Sequence, residues 1–457
     1  MKSGIKPKES RLESSVGYAP ERINHKNVSE ESLTAAPLRY FVGLASFEML
    51  AMFRRGLFYA FLSIYLRHHL GLSVTETTLF ATLPMVVNVL AQTFVWGKVS
   101  DRLQLRRTLI IVGEMLAAFS TVLIWYIHRQ FVDPAVAGYT IILGLTVVEI
   151  FWSMSNISWS ALVSDIYDEQ QRSRIQGRLT SMGGIGRIAG IWIGGLLYDG
   201  MGLKMSGWGF FEGPLFFVAA GVMLISTLPL FFLPEGGIGL NPPPPHTGTH
   251  QHDGNGSERV YLIFLAGMAF INFGRNSIAI IFSQYLTLDT GLALNSLTIS
   301  YIFNTQSAAI VVFGWVAGWI CLRLGNTVAL IAGTAAAIAG LTLLAVTTAL
   351  PMIYFGCFLR GVGDAVIMAA AYTYASILIP PQKRGRLFAW FNGTYFLSFG
   401  LAGTLIAGPI VDGMIAAGHP QTYAYQTSFA AAAGLTTVGL FIQAALLYYL
   451  RKRDYLF

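Results

Sequence analysis

The chain has 457 residues, 54% hydrophobic and only 12% charged, with a formal net charge of +7. Soluble chains carry roughly 25% charged residues, so the deficit excludes a soluble protein of this size. The two cysteines, Cys321 and Cys357, both lie in apolar runs and imply no disulfide framework.

Residues 1–36 are polar and lack the short apolar core of a secretory signal, so a disordered tail is predicted. Apolar runs of the ~20 residues that cross a bilayer as helix then follow one another. Six are predicted near 39–66, 77–97, 107–128, 138–166, 175–198 and 212–233, and six more near 260–286, 297–322, 325–347, 351–379, 387–415 and 423–450. Membrane strands would be ~10 residues long with alternating polarity, so the fold class is an all-α membrane protein of twelve helices. Ser73 and Glu76, just after Gly71, form a capping box at the start of the second run. The sequence 234–259 between the two sets of six contains Pro242 to Pro245 and His246, His250 and His252. It is expected to be a solvated linker rather than a metal site, and residues 451–457 a short C-terminal tail. No metal or other cofactor is expected.

The two sets of six are copies of one unit. Phe53, Arg55, Ser63, Tyr65, Leu66, Gly71 and Leu72 recur as Phe273, Arg275, Ser283, Tyr285, Leu286, Gly291 and Leu292, each 220 positions later. A second echo joins Arg172, Arg174, Gly190, Gly195 and Asp199 to Arg384, Arg386, Gly403, Gly408 and Asp412. Domains 37–233 and 260–450 follow, and paired repeats with charges at mid-membrane depth predict a transporter that rocks one half against the other. The 30 Lys and Arg decide topology rather than nucleic-acid binding. Arg67, Arg129 and Lys204 fall in loops of one face, five lie within spans, and the remaining 22 gather on the face that carries the N-terminus. The positive-inside rule makes that face, and both termini, cytoplasmic. A multi-pass protein of the plasma membrane, monomeric, is the expectation.

The loop after the second span reads Gly97-Lys98-Val99-Ser100-Asp101-Arg102-Leu103-Gln104-Leu105-Arg106-Arg107. It resembles the major facilitator superfamily signature G-x-x-x-D-R-x-G-R-R/K at Gly97, Asp101, Arg102 and Arg106, with Gln104 and Leu105 in place of Gly and Arg. A loop of both charge signs can pair with an acid such as Asp165 and latch the halves together on the cytoplasmic side. In the cognate loop of the second half, Gly318 and Arg323 are kept but Leu322 replaces the acid, so the latch is expected on one half. Gly177, Gly186, Gly190, Gly194 and Gly195 resemble the family's antiporter motif, with Ile191 in place of its proline. Glycines four apart also permit close backbone contact, expected here with the eighth or eleventh helix.

In the fold this resemblance implies, helices one, four, seven and ten line the cavity. Glu48, Arg54 and Arg55, then Glu149, Arg275, and Arg360 with Asp364 fall on those four; Glu114 and Arg187 do not. Arg360 and Asp364, four apart, are placed to pair with each other. Glu149 is placed to meet Arg55 or Arg54 across helices, and Arg275 to meet Asp364. Glu149 and Asp364 are the candidate proton sites, Arg55 and Arg275 the candidates for an anionic or polar substrate, and Glu114 a structural acid. Tyr59, Tyr65, Trp152, Trp159, Phe273 and Tyr372 are further candidates for the cavity wall.

The expectation is proton-coupled export of a small organic molecule by alternating access, with proton-coupled uptake of a sugar or organic acid as the alternative. An enzyme or sensor on the same scaffold is disfavoured. The spans contain no His-Glu-x-x-His, nucleophile elbow or nucleotide-binding loop, so an ion gradient is the energy source.

Overall fold

A lipid environment leaves no water to satisfy the backbone, so each span must close its hydrogen bonds within itself. The computed structural model describes residues 38–167, 169–201, 206–237, 254–379 and 384–452. The tail 1–36, the linker histidines and residues 453–457 lie outside the described residues, as do the side chains of Arg172, Arg174, Arg384 and Arg386. No strand occurs among the described residues.

Twelve spans carry the fold. In the first half these are α1 (Leu38–His69), α2 (Val74–Leu103), α3 (Arg106–His128), α4 (Pro134–Ile166), α5 (Glu169–Tyr198) and α6 (Pro214–Phe232). In the second they are α7 (Arg259–Leu286), α8 (Ser296–Leu324), α9 (Asn326–Val346), α10 (Leu350–Leu378), α11 (Trp390–Ala416) and α12 (Gln421–Leu450). Eleven of them are long and apolar enough to cross a membrane on composition alone. The twelfth, α5, is as long, but Arg187 and its glycines dilute its hydropathy.

Local chemistry sets the helix ends. Ser73 and Glu76 do cap α2, with Ser73 N donating to Glu76 Oε2 at 2.7 Å and Glu76 N to Ser73 Oγ at 3.2 Å. Asp133 accepts from Ala135 N at 2.9 Å beside Pro134, and Asn295 accepts from Thr298 N at 2.8 Å to start α8. Within the first half α1 packs mainly on α5 and α3 on α4; within the second, α7 packs on α11 and α12, and α9 and α8 on α10.

The glycines of α5 explain the tightest of these contacts. A β-carbon at Gly186 or Gly190 would overlap the carbonyl oxygen of Met49 or Phe53 on α1, and one at Gly194 would come within 2.6 Å of the Leu57 carbonyl. Gly195 lies instead against Ser296 and Ser300 of α8. The expected partners were α8 or α11; the observed ones are α1 and α8, because glycines four apart sit on a different face from Gly195. Only glycine lets two backbones approach this closely.

The end bearing the 97–107 loop is called the base here, and the opposite end the head. The hydrogen bonds by which Ser63, Thr77, Thr82 and Gln284 join the halves lie toward the head. Ser63 Oγ meets Ser283 Oγ at 2.7 Å, Gln284 Nε2 donates to Thr77 Oγ1 at 2.8 Å, and Thr82 bonds Thr404 and Gly400. Two aspartates repeat one arrangement. Asp199, ending α5, accepts from Ser296 N and Oγ at 3.1 and 2.6 Å, capping α8; Asp412 of α11 accepts from Val74 N and Thr75 N at 3.0 and 2.7 Å, capping α2. The larger apolar core joins the halves there too, with Phe61 and Tyr65 of α1 and Ile281, Phe282 and Tyr285 of α7.

Candidate translocation site

Toward the base the halves separate around a cavity of about 450 Å³ lined by Trp159, Ser160, Val163 and Ser164 of α4, Gln176 of α5, Tyr372 of α10 and Asn392 of α11. The charged residues lie deeper, on α4, α5 and α10 and on the neighbouring α1, α3 and α7. A charge at the bilayer centre costs ~2.5–3.5 kcal/mol on insertion scales, so each needs water or a partner.

Arg54 and Arg55 are neighbours in sequence, and about 100° of helical rotation sends them to different surroundings. Arg54 is buried, 2.5 Å from Glu114 Oε2 of α3, with its guanidinium 4.0 Å above the Trp152 ring. Ser155 Oγ donates to Glu114 Oε1 at 3.0 Å. That set holds α1, α3 and α4 together. Arg55 is exposed and makes neither a hydrogen bond nor an ion pair. Glu48 lies seven residues earlier on the same face of α1. Glu149 does not pair with either arginine, as had been expected. It accepts instead from Asn88 of α2, whose Oδ1 accepts from Gln92 Nε2 at 2.8 Å. Glu149 is therefore a half-buried carboxylate with a neutral partner.

The second half is arranged differently. Arg275 is buried and lies 2.5 Å from Asp364 Oδ1, and its Nε donates to Asn272 Oδ1 at 3.1 Å. Gln306 Nε2 of α8 donates to Asp364 Oδ2 at 2.9 Å. The Arg275 and Asp364 contact thus forms across helices, whereas the expected Arg360 and Asp364 pair does not. Arg275 already holds the carboxylate, and Arg360 lies with its guanidinium 5.6 Å from the Phe282 ring. Asn272 in turn donates to Thr394 Oγ1, and Asn276 to Ser398 Oγ, at 2.9 and 2.8 Å, tying α7 to α11.

Of the residues that line the cavity, Trp159 and Tyr372 were sequence candidates, and Gln176 of α5 is among those that were not. Gln176 lines the cavity, and Arg187 is eleven residues further on, three turns up the same face. Ile185 and Trp192, 51% and 44% exposed, mark the opposite, outer side of α5. Arg187 is exposed on the cavity side, with no hydrogen bond or ion pair. The signal available was an arginine among the glycines of α5, eleven residues from Gln176.

At the base, the loop makes the turn of its signature without the glycine: Gln104 adopts the left-handed region at φ 57°. Arg106 reaches Asp101 Oδ1 at 3.3 Å, Asp165 Oδ2 at 3.6 Å and the Ser100 hydroxyl. Arg107 pairs with Glu235 at 3.0 Å. Gly97 packs near Ile157, and Arg102 is exposed. Each of these contacts lies within the first half.

A bundle of twelve membrane helices in two pseudo-symmetric sets, joined at one end and open around a central cavity at the other, is the architecture of a secondary carrier. The sequence matches the Major Facilitator Superfamily over residues 44–403 and 264–455, and the chain belongs to that family. It is a multi-pass secondary transporter that works by alternating access, not an enzyme. No curated protein sequence matches it. Among solved structures it is similar to the nucleoside transporter NupG (15% identity, TM-score 0.65, covering 89% of this chain and 99% of that one). It is also similar to a bacterial homologue of the human lysosomal transporter Spinster in an inward-facing, unoccupied conformation (12%, 0.66, 90% and 97%). A bacterial homologue of the iron transporter ferroportin, inward-facing, matches at 14% identity, TM-score 0.63, over 90% and 98%. At these identities the likeness is one of fold.

Proposed function

We propose that the protein is a proton-coupled carrier that exports a small organic molecule from the cytoplasm across the plasma membrane, as a monomer, with Glu149 as its proton site. The observation that carries this reading is the environment of Glu149. The acids of the central helices and α3 differ in their partners: Glu114 and Asp364 each hold an arginine at 2.5 Å, Glu48 makes no hydrogen bond or ion pair, and Glu149 accepts from the neutral amide of Asn88. A carboxylate locked to a guanidinium stays ionised, and one facing an amide beside a mobile cation can take up and release a proton as the cavity alternately wets and closes. Asp364 becomes the structural member of the two candidates named from the sequence.

The positive-inside asymmetry assigns the base, with both termini, to the cytoplasm, so the cavity loads from inside. Export also rests on the glycine run of α5 and its likeness to the antiporter motif. Luminal pH in proteoliposomes, followed as candidate solutes are added under an imposed pH gradient, tests the reading. The expected result is solute movement opposite to protons, lost in Glu149→Gln and kept in the control Arg178→Gln. Co-directional movement would make the protein a symporter, and unchanged coupling in Glu149→Gln would remove that residue from the mechanism.

A further inference from the structure

The geometry points to an oxyanion site formed by Arg55 and Arg187: the transported molecule carries a carboxylate or phosphate that these two arginines hold from α1 and α5. The inference deepens the transport reading above by naming the class of its substrate, and stands on different residues from the proton site.

Three observations carry it. The two side chains leave their helices at one depth, since a β-carbon on Gly56, next to Arg55, would lie 2.5 Å from the Arg187 carbonyl oxygen. Both guanidiniums are exposed, Arg55 on the face it shares with Glu48, and Arg187 three turns above the cavity-lining Gln176. Both lack an anion: Arg54, Arg106, Arg107, Arg129 and Arg275 each hold a carboxylate, whereas Arg55 and Arg187 hold none.

An arginine fork matches the two oxygens of a carboxylate or phosphate, and two forks converging from adjacent helices match such a group better than a neutral or cationic one. Water serves both guanidiniums while the base is open. When the halves close over the cavity that water leaves, and an anion from the substrate is what can replace it. Arg187 therefore acts as a substrate-binding residue on a helix outside the four expected to line the cavity.

The full chain in a neutral detergent, titrated with sodium succinate or sodium phosphate against sodium chloride at equal ionic strength, with melting temperature as the readout, tests the inference. The expected result is saturable stabilisation by at least one of the two anions, with choline and glucose inert. Charge-assisted hydrogen bonds of this kind set the expected size: apparent affinity about tenfold or more weaker in Arg187→Gln and in Arg55→Gln. It should be partly kept in Arg187→Lys and unchanged in Arg178→Gln, whose arginine lies near the base end of α5. Succinate alone would assign a carboxylate and phosphate alone a phosphate. Equal affinity in Arg187→Gln, or no stabilisation beyond chloride, would overturn the site. Since the readout is binding without a proton gradient, loss of coupling in Glu149→Gln with anion binding intact would tell failure of the two readings apart.

Discussion

Arg55 and Arg275 occupy the same position in the two repeats, 220 residues apart, yet their surroundings differ. Arg275 is buried against Asp364, Asn272 and Met368, with its guanidinium 5.5 Å from the Tyr395 ring. Arg55 is exposed and unpaired. The first half does contain a closed ion pair, but its arginine is Arg54, one residue earlier and turned toward α3. Duplication thus fixes helix count and the packing of backbones, while a shift of one position decides which charge is sealed and which faces the cavity. The sealed charge holds a half rigid; the open one is free for a ligand.

The largest effect is expected from breaking the sealed side. Asp364→Asn leaves the buried Arg275 without its counter-charge, and removal of one partner of a buried pair costs roughly 3–5 kcal/mol. Arg55→Gln removes no contact and should change stability by less than ~0.5 kcal/mol. Unfolding of the purified variants in mixed detergent micelles reads both. Equal destabilisation by the two substitutions would mean that Arg55 is sealed in the same way as Arg275, and the contrast between repeats would fall.

Much of this was legible in the sequence, and the rest was not for identifiable reasons. Eleven of the twelve spans follow from hydropathy, and the repeat from seven residue pairs, because both are properties of the chain alone. The meeting of Arg275 with Asp364 was readable as a cross-helix contact between two cavity helices. The partner of Arg54 was not, since Glu114 sits sixty residues away on α3 and nothing in a run of Arg-Arg says which of the two turns toward it. The face of α5 that packs on α1 was visible as glycines, but glycines record only that something comes close. Asn88, Asn272 and Gln306, which hold Glu149, Arg275 and Asp364, were passed over because neutral amides in membrane helices carry no charge signal.

The halves can also be compared where they touch. Asp199 caps α8 and Asp412 caps α2, so the same helix end in each repeat closes the head with a carboxylate on two donors. Hydrogen bonds to a charged group contribute about 1.5–3 kcal/mol. Asp199→Asn and Asp412→Asn should each weaken head closure by roughly 1–2 kcal/mol, shifting the balance between inward- and outward-open states about 5- to 30-fold. Labelling of a cysteine introduced at Ser160 of the cavity wall, by a membrane-impermeant reagent added on the head side, should speed up by that factor in either variant and by their product in both. A large change in only one of the single variants would show that the pseudo-symmetric caps are unequal.

The smallest effect sharpens the comparison at the base, where each half turns its chain after the second helix of its repeat. In the second half Gly325 adopts φ 81° and ψ 148°, a region open in practice to glycine alone, and a β-carbon there would meet nothing within 4 Å. In the first half the turn falls to Gln104 at φ 57°, whose Nε2 donates to the Asp101 carbonyl at 2.6 Å and whose Oε1 lies 3.5 Å from Arg106. The left-handed conformation costs a side-chain-bearing residue ~1–2 kcal/mol, and these local hydrogen bonds offset part of it. Gly325→Ala should then destabilise by about 1–3 kcal/mol through backbone strain alone. Gln104→Gly relieves strain but loses the bond to Asp101 and adds disorder to the unfolded chain, so its net change should stay below ~1 kcal/mol. Thermal unfolding of the two variants in one detergent separates these outcomes. A larger loss in Gln104→Gly than in Gly325→Ala would mean that the amide contacts, rather than the backbone, hold the first-half loop in its turn.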